Sequence, residues 1–119
     1  MKKNINKVKN GNYIKLTRQL LKHDITSNEK HFRVFIFLLL LAAFKEHWII
    51  LDGRKVIVQK GTICTTWKDL SSELKYPIAT TRYYINILCG IKYDHIIIKE
   101  TSKHYICIRI SNYSKWQSI

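Results

Sequence analysis

The chain has 119 residues, with 21 Lys and Arg against eight Asp and Glu, a formal net charge of +13 and a pI near 9.8. That length supports one hydrophobic core and excludes a second independent domain, while the charge meets the electrostatic criterion for a polyanion partner. The longest apolar run, residues 34–44, is flanked by Arg33 and Lys45 and reaches about half of the ~20 residues a bilayer helix requires, so no membrane span is expected. No apolar stretch follows the N-terminal lysines, so no secretory signal is expected. Cys64, Cys89 and Cys107 are odd in number, lack C-x-x-C spacing and lie among apolar residues, which predicts buried reduced thiols and a cytoplasmic location.

Residues 1–12 carry Lys2, Lys3, Lys7 and Lys9 with no acid, and read as a flexible basic arm ahead of a single domain over 13–119. Over 13–22, Ile14, Leu16, Leu20 and Leu21 form a partly amphipathic array that predicts a first helix, broken at 25–28. A second helix is expected over 29–45, apolar nearly all round in its middle and therefore set in the core or at a subunit contact. Residues 48–58 place β-branched side chains on both sides of Asp52-Gly53, a pair favouring the positive φ angles of a two-residue hairpin turn. Gln59-Lys60-Gly61 then turns the chain into a short strand over 62–65.

Thr66-Trp67-Lys68-Asp69 predicts a helix start, because the threonine oxygen can accept from the third backbone N–H and the acid sits at the positive helix end. Trp67, Leu70 and Leu74 share one face of that helix. Pro77 suits the first turn of a second helix starting near Ile78, since its φ is already helical and its missing N–H needs no partner there. Tyr84, Ile85, Leu88 and Ile91 recur at helical spacing as the buried stripe, leaving Thr80, Arg82, Tyr83 and Asn86 on the other side. Strands over 95–99 and 105–110 follow, with Ile106, Ile108 and Ile110 alternating with Tyr105, Cys107 and Arg109, and 100–103 as the exposed tip. Two helices joined by a tight turn and then a hairpin make a winged helix-turn-helix: an α+β fold of four main helices, a short strand, a C-terminal wing, and an extra hairpin after the second helix.

In this order the chain resembles the N-terminal winged-helix domain of DnaD-type primosome proteins and of phage or plasmid replication-initiation proteins. The resemblance rests on Asn12-Tyr13-Ile14-Lys15-Leu16, the helix around 38–43, Lys60-Gly61-Thr62-Ile63 leading into Thr65-Thr66, residues 70–74, Thr80-Thr81-Arg82, and the closing stretch 108–117. It implies that the second helix and wing engage DNA during replication start-up, with a helicase or polymerase as partner proteins and with dimeric or cooperative assembly on DNA. The further C-terminal domain that many such proteins carry for single strands and helicase loading has no counterpart in these residues. Where the family has a glycine in the turn and a serine cap, this chain has Lys75 and Pro77. Lysine tolerates positive φ poorly, so the turn is expected to be built differently.

The candidate nucleic-acid contacts are Thr66, Lys68, Lys75, Tyr76, Thr80, Arg82, Tyr83 and Asn86 around the two helices, and Lys99, Lys103 and His104 at the wing. Arg suits guanine edges and Asn suits adenine; exposed tyrosines beside cations offer stacking faces to unpaired bases; lysines meet phosphates. The five histidines show no metal-ligand spacing, and no phosphate loop or activated nucleophile is visible. The expected function is a non-catalytic DNA-binding accessory of a mobile-element replication module, acting on single-stranded or locally opened DNA without metal or cofactor. Two alternatives are a sequence-specific duplex binder, such as an origin protein or repressor, and a protein-interaction module of a replication complex.

Overall fold

The computed structural model describes residues 16–116, so the basic arm expected over 1–12 and the start of the first expected helix, 13–15, lie outside the described residues. The described part of that first helix is not α-helical: Arg18–Lys22 and Asp24–Ser27 are two 3-10 turns. Long-range bonds fix this segment. The Thr17 N–H donates to the Trp116 carbonyl at 3.0 Å, and the Thr17 hydroxyl donates to the Lys115 carbonyl. The His23 imidazole accepts from the Ile25 N–H at 3.1 Å and starts the second turn.

Helix α1 (Glu29–Leu41) begins where the Asn28 side chain accepts from the His31 N–H. It ends four residues before the expected stop. Ala43 instead donates to the Thr62 carbonyl at 3.1 Å and accepts from the Gly61 N–H at 2.8 Å, so a tertiary backbone exchange replaces further helix. Strands β1 (His47–Leu51) and β2 (Arg54–Val58) form the expected hairpin, and Asp52 and Gly53 both take positive φ, 51° and 74°. Strand β3 (Thr62–Thr65) follows, then helix α2 (Trp67–Leu74) and helix α3 (Ile78–Cys89). Strands β4 (Ile97–Thr101) and β5 (Ile106–Ile110) precede a last short helix, α4 (Tyr113–Trp116).

Among the described residues two antiparallel sheets result, one of β1 and β2 and one in the order β3-β5-β4. The second sheet is buried on one face and partly covered on the other. On one, Ile63, Ile97, Ile106, Ile108 and Ile110 join Val34, Phe35, Leu38 and Leu39 of α1 and Leu70, Leu74, Ile85 and Leu88 of α2 and α3 in the main core. On the other, Cys64, Cys107 and Tyr105 are covered by Ile49, Leu51, Val56 and Val58 of the β1–β2 hairpin. The apolar middle of α1 is thus core. Among the described residues no helix is long and apolar enough to cross a membrane.

Three expectations are corrected, two of them about the segment after α3. Ile91 is 85% exposed and does not continue the buried stripe, because α3 stops at Cys89 and Gly90 caps it. A 3-10 turn, Ile91–Tyr93, buries Tyr93 in its place. Asp94 and His95 then take positive φ, which delays β4 to Ile97 and moves the hairpin tip beyond Thr101. The third concerns sulfur: Cys64 and Cys107, expected as reduced thiols, form a disulfide, since the β3–β5 register sets them directly opposite each other.

Candidate nucleic-acid interface

The turn between α2 and α3 orders most of the site residues. Thr66 caps α2 as the sequence predicts, its Oγ1 accepting from the Asp69 N–H at 3.1 Å, so this hydroxyl serves the helix end first. At the other end Lys75 takes the left-handed conformation, φ 64° and ψ 38°, and its N–H and that of Tyr76 both donate to the Ser71 carbonyl. The turn therefore keeps the geometry usually given to glycine, with a lysine in it, contrary to the expectation of a different construction. Pro77 stands one place before α3 and accepts from the Thr81 N–H at 2.9 Å.

Helix α3 buries Thr81, Ile85 and Leu88 and exposes Ala79, Arg82, Tyr83 and Asn86 on one continuous arc. Thr80 is half-buried beside that arc. Strand β4 runs along α3 and brings Lys99 to its rim, where Nζ donates to Asn86 Oδ1 at 2.6 Å. The centre of the group is a residue read from sequence only as part of the α2 core face. The half-buried Trp67 ring lies under the Arg82 guanidinium, 5.1 Å from its centroid, and under Lys99 Nζ at 5.8 Å. Each cation gains about 0.5–1 kcal/mol from the ring. Two positive charges from different elements are thus held on one indole, beside exposed Lys68. The sequence signal for Trp67 was its place as the first residue of α2, at the margin of the buried face.

The tyrosines separate. Tyr83 is 61% exposed and lies 5.5 Å from the Tyr84 ring, while Tyr76 is half-buried, its ring tilted against that of Tyr84 at 5.4 Å and capped by Arg33 at 5.0 Å. Arg33 also donates from Nη2 to the Leu74 carbonyl at 3.0 Å, so Tyr76 belongs to the packing that holds the end of α2. Lys75 projects into solvent at the turn. The hairpin tip divides too: Lys103 is exposed, but His104 Nδ1 lies 2.7 Å from Asp52 Oδ2, which turns it toward the tip of the β1–β2 hairpin and away from the Trp67 group. The structure therefore gathers Arg82, Asn86 and Lys99 around Trp67, sets Thr66, Lys68, Thr80 and Tyr83 at the margins, and leaves Lys75, Tyr76, Lys103 and His104 outside.

Behind the site, burial pushes the Cys89 thiol up in pKa against the opposing pull of Lys99, which keeps it a protonated thiol at neutral pH. Among the described residues no three His, Cys, Asp or Glu side chains converge as metal ligands. No protein-family model, curated protein or solved structure matches the chain.

Proposed function

We propose that the chain is a DNA-binding protein in which α2, the Lys75 turn, α3 and the β4–β5 hairpin work as a winged helix-turn-helix. The observation that carries this reading is the convergence of Arg82 and Lys99 on the Trp67 ring, beside the exposed arc of α3, in a chain of net charge +13. Cations gathered on one ring repel each other, and a phosphate between them relieves that repulsion while making charge-assisted hydrogen bonds. Exposed Tyr83 supplies a ring face for an unpaired base next to that phosphate site. The role that follows is a non-catalytic accessory for single-stranded or locally opened DNA, in a mobile-element replication module as the resemblance to DnaD-type domains implies.

The engagement of Asn86 favours single strands over duplex readout. Bidentate recognition of adenine needs both Oδ1 and Nδ2 of an asparagine, and here a base must share Oδ1 with Lys99, whose bond occupies one of its two lone pairs and sets the orientation of the amide. The duplex reading is favoured by the small Ala79 in the middle of the exposed arc, which lets a backbone approach closely. Fluorescence anisotropy with labelled single and double strands of equal length separates the two. The single strand is expected to bind more tightly, and a duplex preference at every salt concentration overturns that assignment. Charge reversal at Arg82→Glu with Lys99→Glu is expected to weaken binding by at least about tenfold. Unchanged affinity would move DNA binding to another face, and no binding by the wild type would leave the protein-interaction reading.

A further inference from the structure

The β1–β2 hairpin covers only part of the outer face of the three-stranded sheet. Between β2 and β4 a groove of about 230 Å³ remains, walled by Ile57 and Ile98 and edged by Gln59 and Arg109, and its floor carries both Cys64 and Cys107. The two cysteines are cross-strand partners with Cα atoms 4.2 Å apart, and they are disulfide-bonded. Their sulfurs differ in access: Cys64 is 2% exposed, whereas Cys107 is only half-buried and meets the groove. Their sequence separation of 43 residues encloses α2, the turn, α3 and β4, so the bond closes one loop around that whole unit.

We propose that Cys64 and Cys107 are a reversible dithiol–disulfide couple, open to low-molecular-weight thiols through the groove, that sets the stability of the enclosed α2–α3–β4 unit. A thiolate entering the groove attacks Cys107 Sγ. The Cys64–Cys107 bond breaks, a mixed disulfide forms on Cys107, and the electron pair leaves on Cys64, which takes up a proton. Arg109 lies on the same sheet face, two residues from Cys107 along β5, and its charge favours the departing thiolate; Glu100, the β4 neighbour of Cys107, opposes it. A second thiol then attacks the mixed disulfide, giving the free disulfide of the small thiol and the Cys107 thiol. Two small thiols are oxidised as the protein bond is reduced, and the small disulfide drives the reverse reaction. Reduction opens the loop and returns its chain entropy to the unfolded state.

The full chain, equilibrated with reduced and oxidised glutathione at a series of ratios, tests this. Alkylation and peptide mass mapping should find residues 64 and 107 linked under oxidised glutathione and both alkylated under reduced glutathione, with Cys89 free throughout. The oxidised protein should melt about 10 °C or more above the reduced protein. Cys89→Ser should keep that response, and the double variant Cys64→Ser with Cys107→Ser should melt like the reduced wild type and ignore the glutathione ratio. In single variants, oxidised glutathione should label Cys107 in Cys64→Ser at least about tenfold faster than Cys64 in Cys107→Ser, following access. Equal melting of the oxidised and reduced wild type, absence of the 64–107 link under oxidised glutathione, or equal labelling rates would overturn the proposal. The wild-type comparison stands even where a variant fails to fold.

Discussion

Lys75 and Gly61 occupy backbone positions of the same hand for different reasons. At Lys75 the left-handed φ closes α2 onto Ser71, and a side chain with a Cβ is accepted there at a cost of about 1–2 kcal/mol because two N–H groups find one carbonyl. At Gly61, with φ 78°, an added Cβ would stand 2.9 Å from both Cβ and Cγ of Tyr113, so the residue is demanded by close approach as well as by φ. Gly61→Ala is therefore expected to destabilise the fold by about 2 kcal/mol or more, read as a lower urea midpoint at unchanged slope. A midpoint within error of wild type would mean that Tyr113 moves freely. Thr66 was legible because capping is decided within four residues of sequence, as its bond to Asp69 shows. Trp67 was not, because its meaning depends on Arg82 and Lys99, which arrive from other elements.

Elements whose ends are set by local chemistry matched the sequence, and those ended by distant bonds did not. Asp52-Gly53, Asn28 and Thr66 each fix a turn or a helix start through neighbouring atoms. The 3-10 turns at Arg18–Lys22 and the early stop of α1 answer instead to Trp116, Thr62 and Gly61. Between elements, His31 of α1 and Tyr93 of the 3-10 turn after α3 share a buried hydrogen bond of 2.5 Å. Burial, and then Lys92, lower the His31 pKa below 6.5; burial, and then Asp24, raise that of Tyr93, so the pair is neutral at neutral pH. Above about pH 6.5 both folded and unfolded chains carry His31 uncharged and the bond contributes fully; as pH falls below that value the unfolded chain takes up a proton that the folded chain resists, and stability is lost. Urea unfolding at about pH 7.5 and pH 5.5 should show a smaller loss in His31→Gln than in wild type. Equal losses would shift the effect to the other histidines.

Across the whole molecule, the +13 charge sets how any DNA affinity responds to salt. If six or more phosphates are contacted, binding should fall by roughly 10³-fold or more between about 50 and 200 mM salt, and the Arg82→Glu, Lys99→Glu variant should show a shallower slope. A flat response would point to a protein partner.

Composition, periodicity and short-range capping by themselves determined the α+β class, the Asp52-Gly53 hairpin, the succession of α2, α3 and a terminal β-hairpin, and the arc of Arg82, Tyr83 and Asn86. These depend on neighbours within a few residues, where the chain's own stereochemistry decides. Only the tertiary structure decided that Trp67 anchors the cations, that His104 turns to Asp52, and that Cys64 meets Cys107. Those contacts follow from strand register and helix packing across 43 residues or more, or between separate elements, and register is a collective result of core burial that no local pattern encodes.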